Sequence, residues 1–410
     1  MNKAKIVIFI TVFLDVTGLG IVVPSLPIYL ENITKSAFAV GLVFSVYALC
    51  GFLVSPVLGS LSDRYGRRPL LVISIFGTAI GWFIFSIGTL PFIILGRVIN
   101  GITSGNISIS QSYLTDIAKD AKERTHSLGM MGAIFGIGFV VGPAIGAALS
   151  SVSITFPFLA SGVLALGNTV AAYFLLPETH PKHLRNSKFT INPLAGMKRA
   201  FSNPTIRILL IIWFLYAMTV SNFQSVFALY NHMAYGFDAA KNGLILTGIG
   251  LIIAINQGIL LKHFWLKFWT EPQLQIIANI GMALALLMIM IGNLWLMLIG
   301  IFMQSFSQPI LRVISNSEIS GAAQPHERGE VLGVYQSLFF LASILTPIIG
   351  GWLLDIALPL PWAVGFIYMV VALVLLLLYY KDIGAIKPAE PVVGAGMETE
   401  IEGITAIPPL

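Results

Sequence analysis

Twelve long apolar stretches, joined by short polar connections, set the terms for what this chain of 410 residues can fold into. A helix needs about 20 apolar residues to cross a hydrocarbon core. Runs of that kind lie near 5–30, 38–61, 69–88, 91–115, 126–150, 154–176, 205–231, 240–261, 273–292, 294–316, 329–356 and 361–380. Asp, Glu, Lys and Arg make up only 10% of the chain, against about 25% in a soluble domain. A water-soluble fold with so few charges would expose large apolar patches and associate. The sequence therefore predicts an all-α membrane protein with twelve transmembrane helices. It excludes a soluble enzyme, a nucleic-acid-binding module and a disordered chain. The single cysteine, Cys50, excludes a disulfide framework and a Cys-rich metal site.

The first run reads as a retained helix rather than a cleaved leader. It carries Asp15 near its middle and Pro24 and Pro27 at its end, with no small-residue cleavage site. The net charge of +5 is spread between the runs and so reports orientation. With both termini cytoplasmic, nearly every Lys and Arg outside the runs faces inward, and only Lys35 and Lys241 face outward. Polar, basic residues around 177–204 divide the runs into two sets of six. The expected organisation is an N-terminal six-helix bundle (1–180), a cytoplasmic linker (181–204), a C-terminal six-helix bundle (205–382) and a disordered tail (383–410). The halves also repeat. Glu123, Arg124, Gly129, Pro143 and Gly146 recur as Glu327, Arg328, Gly333, Pro347 and Gly350, each pair 204 positions apart. Two pseudo-symmetric bundles with a site at midplane are the organisation of a rocking transporter.

Residues 59–69 read Gly-Ser-Leu-Ser-Asp-Arg-Tyr-Gly-Arg-Arg-Pro, between the second and third runs. This segment resembles the inter-helix loop motif of the major facilitator superfamily. Gly96-Arg97-Val98-Ile99-Asn100-Gly101 resembles that family's fourth-helix motif. Gly138, Gly142, Pro143, Gly146 and Ala147 in the fifth run resemble the Gly-Pro motif of its antiporters. The stretch from Leu14 to Pro27 and Leu176-Pro177-Glu178-Thr179 are similar to tetracycline-efflux-type drug:proton antiporters. In one respect the chain departs from that group: residues 70–88 and 273–292 hold no Asp or Glu, whereas tetracycline exporters carry membrane acids in the third and ninth helices.

Asp15 is the leading candidate for chemistry. A carboxylate at mid-helix costs about 2.5–3.5 kcal/mol on insertion scales, so it faces protein or water rather than lipid. It shares a small or polar stripe with Thr11, Gly18, Val22 and Ser25. It is either a site that exchanges a proton for substrate or a structural acid paired with Arg97. Arg97 shares a face with Gly101, Ser104, Gly105, Ser108 and Ser112. It is either a switchable partner in proton coupling or a permanent tie to backbone carbonyls.

The resemblance implies a gate latch made of Gly59, Asp63, Arg64, Gly66, Arg67 and Arg68 together with Asp116. Asp63 would face the start of the eleventh helix, and Arg67 would pair with Asp116. It also implies that Gly138, Gly142, Pro143 and Gly146 seal the cavity against leak, beyond their fitness for close packing. Candidates for a substrate cavity are Tyr47, Ser104 and Ser108 in the first half. In the second half they are Asn222, Phe227, Asn256, Gln304, Gln308, Gln336 and Phe340.

Together these features predict a proton-coupled exporter of a small amphipathic compound, not an enzyme, working by alternating access in a bacterial inner membrane. The alternative is a symporter or facilitator importing a metabolite on the same fold. The expected partners are a small-molecule substrate, protons and the lipid bilayer, with no nucleic acid, and the chain is expected to act as a monomer. No phosphate-binding Gly-rich loop is present, no metal site is indicated and no cofactor is expected.

Overall fold

Proline and glycine decide where the helices of this protein stop. In the computed structural model, which describes residues 3–179, 193–323 and 328–382, the first helix ends at Val22. A turn containing Pro24 follows, and a second short helix, Leu26–Thr34, begins with Pro27 in its first turn, where the missing N–H is harmless. The single run expected over 5–30 is thus two helices.

Twelve helices are long and apolar enough to cross a membrane. In chain order they are α1 (Lys3–Val22), α2 (Ala37–Tyr65), α3 (Arg67–Phe85), α4 (Leu90–Asp116), α5 (Ala121–Ser150) and α6 (Phe156–Leu175). The second set is α7 (Pro204–Tyr235), α8 (Ala239–Leu261), α9 (Glu271–Met290), α10 (Leu294–Ala322), α11 (Arg328–Ile356) and α12 (Leu360–Asp382). An even number of crossings puts residues 3 and 382 at one end, here called proximal. Between the sets lies a ten-residue helix, Pro193–Ser202, that packs on α7 and α11.

Two helices depart from the expected continuous form. α4 is broken: Leu90–Ile102 and Asn106–Asp116 flank a turn at 103–105. Thr103 donates its hydroxyl back to the Ile99 carbonyl at 2.8 Å, and Ser104 and Gly105 are weak helix formers. α8 passes into a π-helix over Asn256–Trp265. There Asn256 donates to the Phe306 carbonyl at 2.8 Å and accepts from the Trp265 indole at 2.7 Å, which holds the widened turn against α10.

The distal end is closed and the proximal end is open. One apolar cluster runs unbroken from the distal parts of the first set (Val22, Leu30, Val40, Phe85, Phe158) into the second (Trp213, Phe223, Leu338). The proximal part of the first set has a separate cluster around Ile8, Leu71, Ile75 and Tyr113. Small residues let the distal helices touch backbone to backbone. A Cβ on Gly41 would stand 1.9 Å from the Pro347 carbonyl oxygen, and one on Gly351 would stand 2.2 Å from that of Ala37. Toward the proximal end, a Cβ on Gly129, Gly132, Gly136 or Gly333 would meet open space.

The Asp355 carboxylate, at the distal end of α11, accepts from the Ala37 and Phe38 N–H groups at 2.8 and 2.9 Å and from the Ser36 hydroxyl at 2.8 Å. A negative group thus caps the N-terminus of α2 in the other bundle, where N–H groups lack helical partners.

At the proximal end of α1, Lys5 donates to Glu123 of α5 at 2.5 Å and to Ser127 at 3.2 Å. The hydrogen bond from Lys5, then that from the Lys119 N–H, holds the Glu123 carboxyl below its ordinary value of 4.5. A lowered value means the tie is complete above that ordinary value and is lost as pH falls through the lowered one. In thermal unfolding across pH, wild type should therefore exceed Glu123→Gln by a small margin at neutral pH. The margin should vanish in acid. A margin independent of pH would mean the ion pair contributes nothing.

Candidate functional site

The site is assembled inside the first bundle by α1, α2, α3, α4 and α6. Asp15 is half-buried on α1. Its Oδ1 accepts from the Asn106 amide at 2.7 Å, and the same amide reaches the Thr78 hydroxyl at 3.3 Å. Asn106 is the first residue after the break in α4, so the positive end of a half-helix points toward the acid. The break is what turns this end inward, since a continuous α4 would present no such terminus at this depth.

Asp15 opens onto a cavity of about 70 Å³ also lined by Gly18, Tyr47, Thr78, Trp82, Arg97, Asn100 and Ser104. Arg97 Nε, both polar atoms of the Asn100 amide, the Ser104 hydroxyl and Asn106 Oδ1 are buried there without a protein partner. A polar cavity of this size holds a few water molecules that satisfy such groups.

Arg97 is only 3% exposed and makes no ion pair with Asp15. Its guanidinium lies over Trp82 at 5.2 Å, Phe85 at 5.4 Å, and Phe44 and Tyr47 at 5.5 Å. An Arg at mid-membrane costs about 2.5–3.5 kcal/mol on insertion scales. Four ring contacts at about 0.5–2 kcal/mol each are enough to offset that. The cation is thus held by ring faces rather than by the acid or by backbone carbonyls. That leaves Asp15 and Arg97 lining one cavity without an ion pair between them.

α5 packs closely on α1 beside the acid. A Cβ on Gly142 would lie 2.7 Å from the Gly20 Cα, and one on Gly146 would lie 2.3 Å from the Ile21 carbonyl. Gly138 meets Val16 in the same way, at 2.8 Å. On its other side the Pro143 carbonyl lies 2.8 Å from a Cβ built on Gly243 of α8. The stripe Gly138, Gly142, Pro143 and Gly146 is therefore a close-packed seam between α1 and α8.

At the proximal turn between α2 and α3, Gly66 has φ of 109°, a conformation that suits glycine. Arg67 Nε donates to Asp116 Oδ2 at 2.9 Å, and its Nη1 donates to the Ser62 hydroxyl at 2.6 Å. The Glu178 carboxylate accepts from the Arg67 N–H at 3.0 Å and so caps α3. Arg68 donates to the Tyr173 carbonyl of α6, and Arg64 is exposed beside Tyr65. Among the described residues, neither Arg64 nor Arg68 bonds to the second bundle. Gly59 lies within α2, and the Asp63 side chain lies outside the described residues.

The cavity candidates separate into two groups. Tyr47 and Ser104 line the Asp15 cavity. Ser108 is exposed and donates to the Gly105 carbonyl. Gln308 and Phe340 are half-buried, and Gln336 is exposed. The structure places four others in helix contacts instead. Asn222 donates to the Pro361 carbonyl at 3.0 Å, Asn256 braces the π-helix, Phe227 stacks on Phe223 at 4.4 Å, and Gln304 is buried. Polar side chains at membrane depth either line water or bond across helices, and Asn222 and Asn256 do the second. Asn106, Thr78, Phe44, Trp82 and Asp355 were not singled out from the sequence. An Asn directly after Thr-Ser-Gly within an apolar run was the available signal for Asn106.

A twelve-helix membrane protein whose two six-helix sets meet at one end and part at the other, with a charged wet cavity in the wall of one set, has the build of a secondary transporter. The comparisons agree. The model described as Major Facilitator Superfamily matches residues 8–270 and 264–399. The class C tetracycline resistance protein of Escherichia coli is 31% identical over 353 residues, covering 85% of this chain and 89% of that protein. Multidrug resistance protein 1 of Bacillus subtilis is 26% identical, covering 91% of this chain and 95% of its own. The crystal structure of the nucleoside transporter NupG shares the fold with a TM-score of 0.73 at 17% identity, over 93% of this chain and 99% of that one. The chain belongs to the Major Facilitator Superfamily and is a multi-pass membrane transporter, not an enzyme.

Proposed function

We propose that this transporter exports a small amphipathic compound in exchange for protons. Asp15 is the proton site, and Arg97 tunes it through the shared cavity. The observation that carries the reading is the pairing of a half-buried Asp15, bonded to Asn106, with a cavity at membrane depth lined by Arg97, Asn100 and Ser104. The similarity to tetracycline and multidrug resistance proteins supports export of a drug-like compound. Positive residues at the proximal end support a cytoplasmic placement of both termini, in a bacterial inner membrane. The open proximal end is then the inward-facing entrance. Arg67 with Asp116 acts as the inner latch, with Asp63 facing the start of the eleventh helix, while Asp355 on the start of α2 holds the outer end shut. The protein works as a monomer.

The test is a compound screen in cells stripped of other exporters, followed by proton release from purified protein on addition of each protective compound. Protection together with compound-dependent proton release is expected. Protection without proton release would remove the coupling.

A further inference from the structure

The second bundle carries a cation that the mechanism above does not use. Arg312 lies ten residues, about 15 Å, from the proximal end of α10. Its side chain is exposed, and among the described residues it has no ion-pair partner. Its neighbours are aromatic and neutral. It sits beside Tyr216 of α7 and Tyr335 of α11, with Asn316 next to the Tyr335 hydroxyl. Tyr335 stacks on Trp213 at 3.8 Å, and Tyr216 donates to the Gln308 carbonyl at 2.8 Å, so the wall around the guanidinium is rigid. The rest of α10 packs on α9 and α8, while Arg312 lies toward Tyr216 of α7 and Tyr335 of α11, and α11 is the helix that packs on α2 of the first bundle.

No described acid answers it. Within the spans, away from their ends, the described acids are Asp15 and Glu318. Asp15 is committed to Asn106 in the other bundle, and Glu318 receives the Tyr380 hydroxyl of α12. A cationic ligand in this cleft would be repelled with no carboxylate to compensate. An anion would gain charge-assisted bonds from a fork suited to carboxylates.

We propose that Arg312 receives the acidic group of the cargo, whose class is therefore an amphipathic aromatic anion such as a carboxylate. This rests on the export reading above for the word cargo, and on Arg312 alone for the charge.

The test is calorimetric binding to the purified full-length protein of three probes with one aromatic body: naphthaleneacetate, naphthaleneacetamide and naphthylethylamine. The carboxylate should bind about tenfold tighter than the amide or more, with the amine weakest. Arg312→Gln should reduce carboxylate affinity by about tenfold and leave the amide within about twofold, while Arg312→Lys keeps part of the preference. The wild-type ranking stands as a test even if a variant does not fold. Failure to bind the carboxylate, a preference for the amine, or an unchanged ranking in Arg312→Gln would overturn the assignment. A carboxylate preference in a protein that moves no protons would leave it standing and remove the antiport reading instead.

Discussion

Asp15→Asn abolishes uphill, proton-driven transport and leaves the fold and passive exchange in place. Asn has the shape of Asp and keeps an oxygen to accept from Asn106, which now binds Oδ1 at 2.7 Å. The α1–α5 seam at Gly20, Gly142 and Gly146 does not involve the carboxyl, so the helices should pack as before. What disappears is the one group in that cavity able to take up and give back a proton. In everted vesicles with an imposed pH gradient, compounds that dissipate the gradient through wild type should have no effect through the variant. Exchange of labelled against unlabelled compound with no gradient should continue. If the variant still drives uphill transport, the proton path lies elsewhere, and the runner-up carboxylate at membrane depth is Glu318.

The second large effect concerns the distal closure. Gly41→Ala places a methyl 1.9 Å from the Pro347 carbonyl oxygen; the methyl is fixed to the backbone of one helix and the oxygen belongs to the backbone of the other. α2 and α11 would have to part by more than about 1 Å to reach ordinary contact. Overpacking of this kind costs about 1–3 kcal/mol, enough to shift the closed population by about fivefold to a hundredfold. The parting would also stretch the bonds from Asp355 to Ala37 and Phe38 and the Ser45 bond to the Ile344 carbonyl. A cysteine at Ser45, in a background where Cys50 is serine, reports the change. It is buried in the closed interface and should react slowly with an impermeant maleimide added from the distal side. In Gly41→Ala the reaction should be about tenfold faster. An unchanged rate would mean that this interface does not form the closure.

The twelve crossings were readable because burial in lipid demands length and low charge, properties that sum over twenty residues. The breaks were not, because each depends on a single local competition. Thr103 turns on its own helix to bond Ile99, and Asn256 is held by Trp265 and Phe306 from outside its turn. The same limit applies to the site. Asp15 stood out by cost alone. Arg97 stood out too, but its cage of rings comes from two other helices, α2 and α3, and residue spacing along one helix does not reveal it. Asn222 and Gln336 look alike as polar residues in apolar runs. Only their neighbours separate a bond to the Pro361 carbonyl from an exposed side chain. Asp355 reads in the sequence only as an acid near a membrane interface, because its value lies in the free N–H groups of a helix more than 300 positions away.

The central claim is that Asp15 gains and loses a proton through the cavity it shares with Arg97. Infrared difference spectroscopy of the purified protein during reversible pH steps, wild type against Asp15→Asn, reads that event without knowledge of the cargo. A carboxylic-acid carbonyl band should rise and fall with pH in wild type and be missing from the variant. A wild-type spectrum with no Asp15-dependent carboxyl band at any pH would show an acid sealed from water, and the account would fail with it.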